Sequence, residues 1–243
     1  MIKPFAESWV DLIPQSALVA LLSVLLTITN AELARASLHN GAVSSEWSVT
    51  GEFQRSAAHL GAGTPSDPEK DLVRELLEDP EAPAIGNING DITVYEFFDY
   101  RCPYCKRVAE DVMKLVAEDP GIRVVFKEFP ILGEDSVTAA RAALAAHKQG
   151  KYVAMHKILM EHRGDLALDN MAELAVRAGV DADLMIKDMA SPDIAAHIQR
   201  NEALAVLLSI RGTPGFLIGR FLVPGAISYA EMRQLVRESR EGG

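Results

Sequence analysis

The chain has 243 residues, of which 49% are hydrophobic and 24% are charged, and its formal net charge is −10. This mixture is typical of a folded globular protein and excludes a collagenous or largely disordered chain. The charges are spread along the sequence, and no cluster of Lys and Arg with interleaved aromatic residues occurs. We therefore expect no nucleic-acid partner.

The first 36 residues predict an export signal. An uncharged run, ALVALLSVLLTIT at residues 17–29, is followed by Ala34 and Ala36 at the spacing that suits signal peptidase. The run is shorter than the roughly 20 residues that span a bilayer, which favours a cleaved signal over a permanent anchor. Because Lys3 is the only basic residue before the run, an uncleaved anchor and a buried helix stay open as alternatives.

Residues 37–83 are predicted to form a tether with one helix. The first part is small and polar without a sustained period, whereas Asp67 and Pro68 supply an N-cap and a first helical position. The predicted apolar face carries three leucines, Leu72, Leu76 and Leu77. The helix is expected to stop at Asp79.

The rest of the chain alternates strand and helix signals. Residues 91–98 and 122–129 are rich in β-branched and aromatic residues, and the segment between them has helical spacing, which predicts a parallel pair of strands joined by a helix. Residues 134–210 read as four or five helices, residues 215–225 as a hairpin, and a terminal helix follows with Ser228 as its N-cap.

This order predicts an α/β fold in which a sheet domain is interrupted by a helical domain. The sheet domain is predicted at residues 84–132 and 211–243, and the inserted all-helical domain at residues 133–210.

Both cysteines of the chain lie in the stretch YEFFDYRCPYCKR, as Cys102 and Cys105. A bridge that closes so short a loop stabilises a protein by only about 2 kcal/mol, so the pair is a poor structural staple. A zinc site needs four ligands, and neither a second cysteine pair nor a close histidine pair accompanies this one, so no metal site is predicted. The spacing instead indicates redox chemistry.

The predicted helix start explains how these thiols react. Pro103 suits the first helical position, which makes Cys102 the N-cap residue, where unpaired N–H groups and the helix dipole stabilise a thiolate. Cys105 then lies one turn inside and resolves a mixed disulfide. Glu96 shares a strand face with apolar residues, and it is interpreted either as a proton acceptor for Cys105 paired with Lys127 or as an exposed edge-strand residue.

The strand, the Cys-Pro-x-Cys helix start, the helical block and the stretch GTPGFLIG together resemble the DsbA-like branch of the thioredoxin superfamily. The resemblance implies a thioredoxin-like fold, with Glu96 as the buried acid six residues before Cys102. It also implies a cis bond between Thr213 and Pro214, with the Thr213 backbone pairing with extended clients. No cofactor is implied beyond the Cys102–Cys105 disulfide.

The resemblance implies a periplasmic enzyme that introduces or reshuffles disulfide bonds in unfolded or misoxidised exported proteins, and a DsbB- or DsbD-like membrane redox partner. Strongly oxidising relatives typically carry Pro-His between the cysteines and Val before the cis-proline, whereas Tyr104 and Thr213 resemble the isomerase-like DsbG and ScsC relatives. An isomerase or reductase kept reduced by a membrane donor is therefore an alternative. Such relatives oligomerise through an N-terminal extension, a role open to residues 37–81.

A second alternative is a Cu(I)-binding periplasmic protein without turnover, since ScsC-type proteins are linked to copper tolerance. Two methionine pairs at helical spacing are candidate soft ligands beside the thiols: Met155 with Met160, and Met185 with Met189. Methionines at such spacing are more often core residues.

Overall fold

The computed structural model describes residues 67–242. The predicted export signal and the first part of the predicted tether, residues 1–66, lie outside the described residues. Five strands are described: β1 (Ala84–Gly86), β2 (Ile92–Phe98), β3 (Ile122–Glu128), β4 (Gly215–Ile218) and β5 (Phe221–Pro224). The described helices are α1 (Pro68–Leu77), α2 (Pro103–Glu118), α3 (Glu134–Lys148), α4 (Tyr152–Glu161), α5 (Leu168–Arg177), α6 (Ala182–Met189), α7 (Pro192–Leu207) and α8 (Tyr229–Glu241).

The five strands form one mixed sheet in the order β1-β3-β2-β4-β5. β2 and β3 are parallel and are joined through α2, as predicted, whereas the other neighbouring strands are antiparallel. The α/β class is therefore confirmed. β1 was not predicted, because three residues are too few to show an alternating pattern.

Helices α3 to α7 lie between β3 and β4 in the chain, and they begin and end near the predicted breaks. Their buried residues join those of the sheet in one hydrophobic core. For example, the ring of Phe126 on β3 lies 5.4 Å from the ring of Tyr152 and 4.6 Å from that of His156, both on α4. The boundaries between sheet domain and inserted domain stay a prediction.

Helix α1 begins at Pro68, as predicted, but its buried face differs from the predicted one. Leu72 is exposed, whereas Val73, Leu76 and Leu77 pack against a core cluster that contains Phe97. The spacing i, i+3, i+4 of these three residues makes the stripe that faces the body of the protein. The apolar stripe of α1 thus packs within its own chain. Oligomerisation through residues 37–81 stays a prediction, because residues 37–66 lie outside the described residues.

Helix α8 begins with the predicted cap. The Ser228 hydroxyl accepts a hydrogen bond from the Glu231 backbone N–H at 3.3 Å, and the Ser228 backbone N–H donates to the Glu231 carboxylate at 2.7 Å. This reciprocal capping box satisfies two backbone donors that the helix itself leaves unpaired. Within residues 67–242, no helix is both long enough and apolar enough to cross a membrane.

Ser228→Ala is expected to lower the free energy of unfolding by about 1 kcal/mol, since it removes an N-cap hydrogen bond. Urea unfolding followed by circular dichroism measures the change. Ser191→Ala is the matched control, because Ser191 is the N-cap of α7 and its hydroxyl, which accepts an exposed hydrogen bond from Lys148, makes no cap bond. If Ser191→Ala lowered the free energy of unfolding as much as Ser228→Ala, the effect at Ser228 could not be attributed to its cap hydrogen bond.

Candidate functional site

The two cysteines lie at the start of α2. Cys102 is the N-cap residue, with φ −71° and ψ 117°, and Pro103 occupies the first turn, where its missing N–H leaves no hydrogen bond unmade. The Cys102 Sγ accepts a hydrogen bond from the Cys105 backbone N–H at 3.5 Å. Both thiols are free in the structure, and both are buried. The helix start therefore directs a backbone N–H donor at the Cys102 sulfur.

The turn before β4 lies opposite the start of α2 and completes the site. Gly215 pairs with Phe97 of β2, so the residues that precede β4 are brought to the end of β2, where α2 begins. The Thr213–Pro214 peptide bond is cis. The Cys102 thiol donates to the Thr213 carbonyl oxygen at 3.2 Å. This carbonyl belongs to the Thr213 backbone, which the resemblance assigns to client pairing, and it lies against the sulfur.

Cys105 has a different environment from Cys102. Its side chain is fully buried. Burial raises the pKa of the Cys105 thiol, and the nearby charges of Glu96 and Cys102 raise it further. Cys105 therefore holds its proton at neutral pH and needs a partner that takes the proton when it reacts as a thiolate.

Glu96 lies in the central strand β2 and is 1% exposed, which contradicts the alternative of an exposed edge-strand residue. Its Oε1 atom has no hydrogen-bond partner. Burial raises the pKa of the Glu96 carboxyl to about 8. A carboxyl that changes its charge near neutral pH, beside a thiol that holds its proton, is suited to proton transfer.

Lys127 is not the partner of Glu96, and that prediction was wrong. In the parallel pair of strands, Lys127 is opposite Phe97 and Glu96 is opposite Phe126, so Lys127 and Glu96 point to opposite faces of the sheet. The Lys127 Nζ donates instead to the Leu76 carbonyl at the end of α1, at 2.7 Å. Burial lowers the pKa of Lys127 to about 8.

A second buried acid, Glu128, was missed by the sequence reasoning. It ends β3 on the same sheet face as Glu96, and its Oε1 accepts hydrogen bonds from Tyr152 at 2.7 Å and from Tyr100 at 3.2 Å. Tyr100 also contacts Nδ1 of His156 at 3.0 Å. The same two-residue alternation that singled out Glu96 in β2 would have singled out Glu128 in β3.

Tyr104 is 54% exposed beside the thiols, and the Arg107 guanidinium lies 4.4 Å from the centre of its ring. The Lys106 Nζ donates to the carbonyls of Leu159 at 2.9 Å and His162 at 2.6 Å, and burial lowers its pKa to about 8. Lys106 and Arg107, the two cations that follow Cys105, thus have partners other than the Cys102 sulfur.

The methionines considered as copper ligands are buried: Met155, Met160, Met185 and Met189 all belong to the hydrophobic core. In the described part of the chain, no group of three or more His, Cys, Asp or Glu residues is arranged to hold a metal ion. The two thiols are the soft donors that the site itself offers.

Comparison with known proteins gives solved structures of similar fold and a set of curated relatives. A thioredoxin-like oxidoreductase from Silicibacter pomeroyi DSS-3 is 44% identical, with a TM-score of 0.68 over 70% of this chain and 99% of that one. The catalytic domain of Proteus mirabilis ScsC is 29% identical, with a TM-score of 0.63 over 70% and 97% of the two chains. The thiol-disulfide exchange protein alpha-DsbA2 from Wolbachia pipientis is 27% identical, with a TM-score of 0.66 over 70% and 94%.

Among curated proteins, the Na(+)/H(+) antiporter NhaA 3 from Salinispora tropica is 30% identical over 174 residues, which are 68% of this chain. The chain spans about a quarter of the length of that antiporter. Residues 93–237, more than half of the chain, match the family described as the DSBA-like thioredoxin domain. The thioredoxin-like fold is thereby confirmed, and the chain belongs to the DsbA-like family of thiol-disulfide oxidoreductases.

Proposed function

We propose that this chain introduces or reshuffles disulfide bonds in exported proteins through Cys102 and Cys105. The observation that carries the proposal is the contact of the Cys102 sulfur with both the Cys105 N–H and the Thr213 carbonyl. The Cys102 sulfur accepts a hydrogen bond from a backbone N–H and lies against the Thr213 carbonyl. Cys105 is fully buried and the pKa of its thiol is raised, so the two cysteines have different tasks.

In the oxidised form, a client thiolate attacks the Cys102 sulfur and the Cys102–Cys105 bond breaks. Cys105 leaves as a thiolate and takes a proton from the Glu96 carboxyl. A second client thiolate then attacks the client sulfur of the mixed disulfide, and Cys102 leaves as a thiolate. This thiolate accepts a hydrogen bond from the Cys105 N–H. The client loses two electrons, and the cysteine pair gains them.

An apolar rim suits contact with unfolded clients. Tyr104, Ile131 and Leu132 are exposed, and Leu132 is tied to the site because its carbonyl accepts a hydrogen bond from Arg101, next to Cys102. An extended client segment would pair with the Thr213 carbonyl through its own backbone, as an added strand does. Such pairing uses main-chain groups, so it accepts clients of many sequences.

The second candidate direction is that of an isomerase or reductase kept reduced by a membrane donor. Lys106 and Arg107 have other partners, and Tyr104 replaces the histidine typical of strong oxidases. With fewer groups to stabilise the Cys102 thiolate, the disulfide form is less oxidising.

Two measurements test the function and its direction. The purified protein is titrated against glutathione buffers to give its reduction potential, and it is then assayed with a fully reduced and with a scrambled disulfide protein. Faster oxidation of the reduced client supports an oxidase, and faster recovery of the scrambled client supports an isomerase. If the protein is inactive in both assays and forms a stoichiometric Cu(I) complex, the alternative of a Cu(I)-binding protein without turnover is favoured.

We also propose that the protein acts in the periplasm and exchanges electrons with a membrane redox partner. The apolar run of residues 17–29 supports this proposal. Cell fractionation with N-terminal sequencing of the product tests it. Recovery in the cytoplasm with an intact N-terminus would contradict it.

A further inference from the structure

A shallow hollow of about 450 Å³ lies beside the two cysteines. Pro103 and Tyr104, which separate the cysteines in the chain, form part of its wall, and Lys106, Arg107 and Arg163 form the rest. Among the residues that the structure describes, no carboxylate lines the hollow. A chain with a net charge of −10 therefore presents basic side chains next to its reactive sulfur.

Two of the basic side chains are held in place by the end of α4. The Lys106 Nζ reaches the carbonyls of Leu159 and His162, and the Arg163 guanidinium donates to the Met160 carbonyl at 2.9 Å. Carbonyls at the end of a helix lack partners within the helix, so these two cations satisfy them. Their charges thus have fixed positions beside the start of α2.

The third basic side chain, Arg107, is positioned by the aromatic residue of the hollow. Its guanidinium lies 4.4 Å from the centre of the Tyr104 ring, and both side chains are exposed. Within residues 67–242, the Arg107 guanidinium donates no hydrogen bond to an oxygen atom. Its five N–H donors are therefore available to a ligand.

None of the three basic residues takes part in an ion pair within residues 67–242. Their positive charges instead act on one another: burial lowers the pKa of Lys106 to about 8, and the charge of Arg163 contributes to the fall. Asp99 acts on Lys106 in the opposite direction, but its buried carboxylate accepts from the Ser136 hydroxyl at 2.8 Å. The hollow therefore carries positive charge that no surface carboxylate neutralises.

Two acidic residues lie in the adjoining groove between α2 and α4, which shares Lys106 and Arg163 with the hollow. They are Glu110 and Glu161, and Glu161 is paired with Lys157 at 3.9 Å. The groove therefore has mixed charge, whereas the charged lining of the hollow is basic. A preference for negative charge is thus confined to the client residues next to the reacting cysteine.

A carboxylate is the ligand that fits these groups. Guanidinium groups bind a carboxylate through two parallel N–H donors, and such charge-assisted hydrogen bonds are about twice as strong as neutral ones. The acidic residues elsewhere on the chain oppose this attraction only weakly, because the screening length is about 8 Å at physiological ionic strength. The hollow thus suits the aspartate and glutamate side chains of a peptide.

We propose that Lys106, Arg107 and Arg163 select client proteins in which aspartate or glutamate flanks the reacting cysteine. The inference rests on the proposed function, because the client thiolate is the one that attacks the Cys102 sulfur. The client carboxylate binds in the hollow and raises the rate at which the thiolate and the sulfur meet. The electron transfer is unchanged: the client loses two electrons, and the cysteine pair gains them.

The test compares two dithiol peptides that differ only in the residues flanking their cysteines, which are glutamates in one peptide and glutamines in the other. The oxidised protein is mixed with each reduced peptide, and quenched samples are analysed by mass spectrometry for the mixed disulfide and the peptide disulfide. Each rate constant is divided by the thiolate fraction of its peptide, because flanking carboxylates raise the pKa of a thiol.

The glutamate peptide is expected to react about five-fold faster than the glutamine peptide at low salt. The two normalised rates should converge as salt is added, because the screening length falls to about 3 Å at 1 M salt. A preference that stays as large at 1 M salt would overturn the inference. This measurement uses the wild-type protein and needs no variant.

Removing the charges should remove the preference. Arg163→Gln is expected to lower the ratio of the two normalised rates from about five to about two, and Arg107→Gln together with Arg163→Gln to bring it close to one. Arg163→Lys keeps the charge and is expected to retain most of the preference. Arg237→Gln is the matched control: Arg237 lines a hollow with Glu118 at the other end of α2, and its loss changes the net charge equally.

The outcomes separate this inference from the proposed function. Equal rates for the two peptides at low salt would overturn the selection and leave the proposed function standing. A ratio that the double variant leaves unchanged, or that Arg237→Gln lowers as much as Arg163→Gln, would do the same. If the oxidised protein reacts with neither peptide, the proposed function fails and the selection fails with it.

Discussion

Cys102→Ala is expected to reduce thiol-disulfide exchange to the rate of the buffer alone, while Cys105→Ala retains the first half of the reaction. Cys102 is the sulfur that contacts the Thr213 carbonyl, and Cys105 is fully buried behind it. When the reduced protein attacks a peptide disulfide, which is the reverse of the oxidation described above, the mixed disulfide formed at Cys102 is released by the Cys105 thiolate. In Cys105→Ala that attack is absent, so the mixed disulfide with a client peptide persists.

Mass spectrometry of each variant after mixing with an activated peptide disulfide measures the adduct and its lifetime. The wild-type protein is expected to release the adduct as it forms its own disulfide, and Cys105→Ala to hold it at least about a hundred-fold longer. Cys102→Ala should form no lasting adduct. Full exchange activity of Cys102→Ala, or a persistent adduct on Cys105 in that variant, would contradict the assigned roles.

The features of the site that the local sequence predicts are those that depend on residues close together in the chain. The N-cap position of Cys102 and the first-turn position of Pro103 follow from four consecutive residues. The two-residue alternation within one strand placed Glu96 on the apolar face but left its burial open, and the family resemblance favoured the buried acid that the structure shows. The contact between Cys102 and Thr213 joins residues 111 positions apart, and it was reached through the family resemblance and not through local pattern.

The error on the partner of Glu96 comes from the pairing of strands. Lys127 and Glu96 are on neighbouring strands, but only the register shows that they face opposite sides of the sheet. With that register, Glu128 falls on the side of Glu96. Its partner Tyr152 comes from a helix of the block between β3 and β4, and no periodicity within β3 indicates which helix packs over it. Long-range packing decides these features.

Glu96→Gln is expected to stabilise the reduced protein at alkaline pH. The folded protein raises the pKa of this carboxyl to about 8, compared with about 4.5 in an ordinary setting. A raised carboxyl pKa gives stability that is fully present below about pH 4.5 and is lost as the pH rises through about 8. Glutamine has no charge to bury, so the variant keeps its stability across this range.

The expected difference in the free energy of unfolding is on the order of 5 kcal/mol in favour of Glu96→Gln at pH 9, and close to zero at pH 4. Urea unfolding under reducing conditions at pH 4, 7 and 9 measures it. Glu110→Gln, which changes an exposed glutamate of α2, is the matched control and should follow the wild-type protein at each pH. A Glu96→Gln variant that is no more stable than the wild-type protein at pH 9 would contradict the buried, unpartnered carboxyl on which the proton transfer to Cys105 depends.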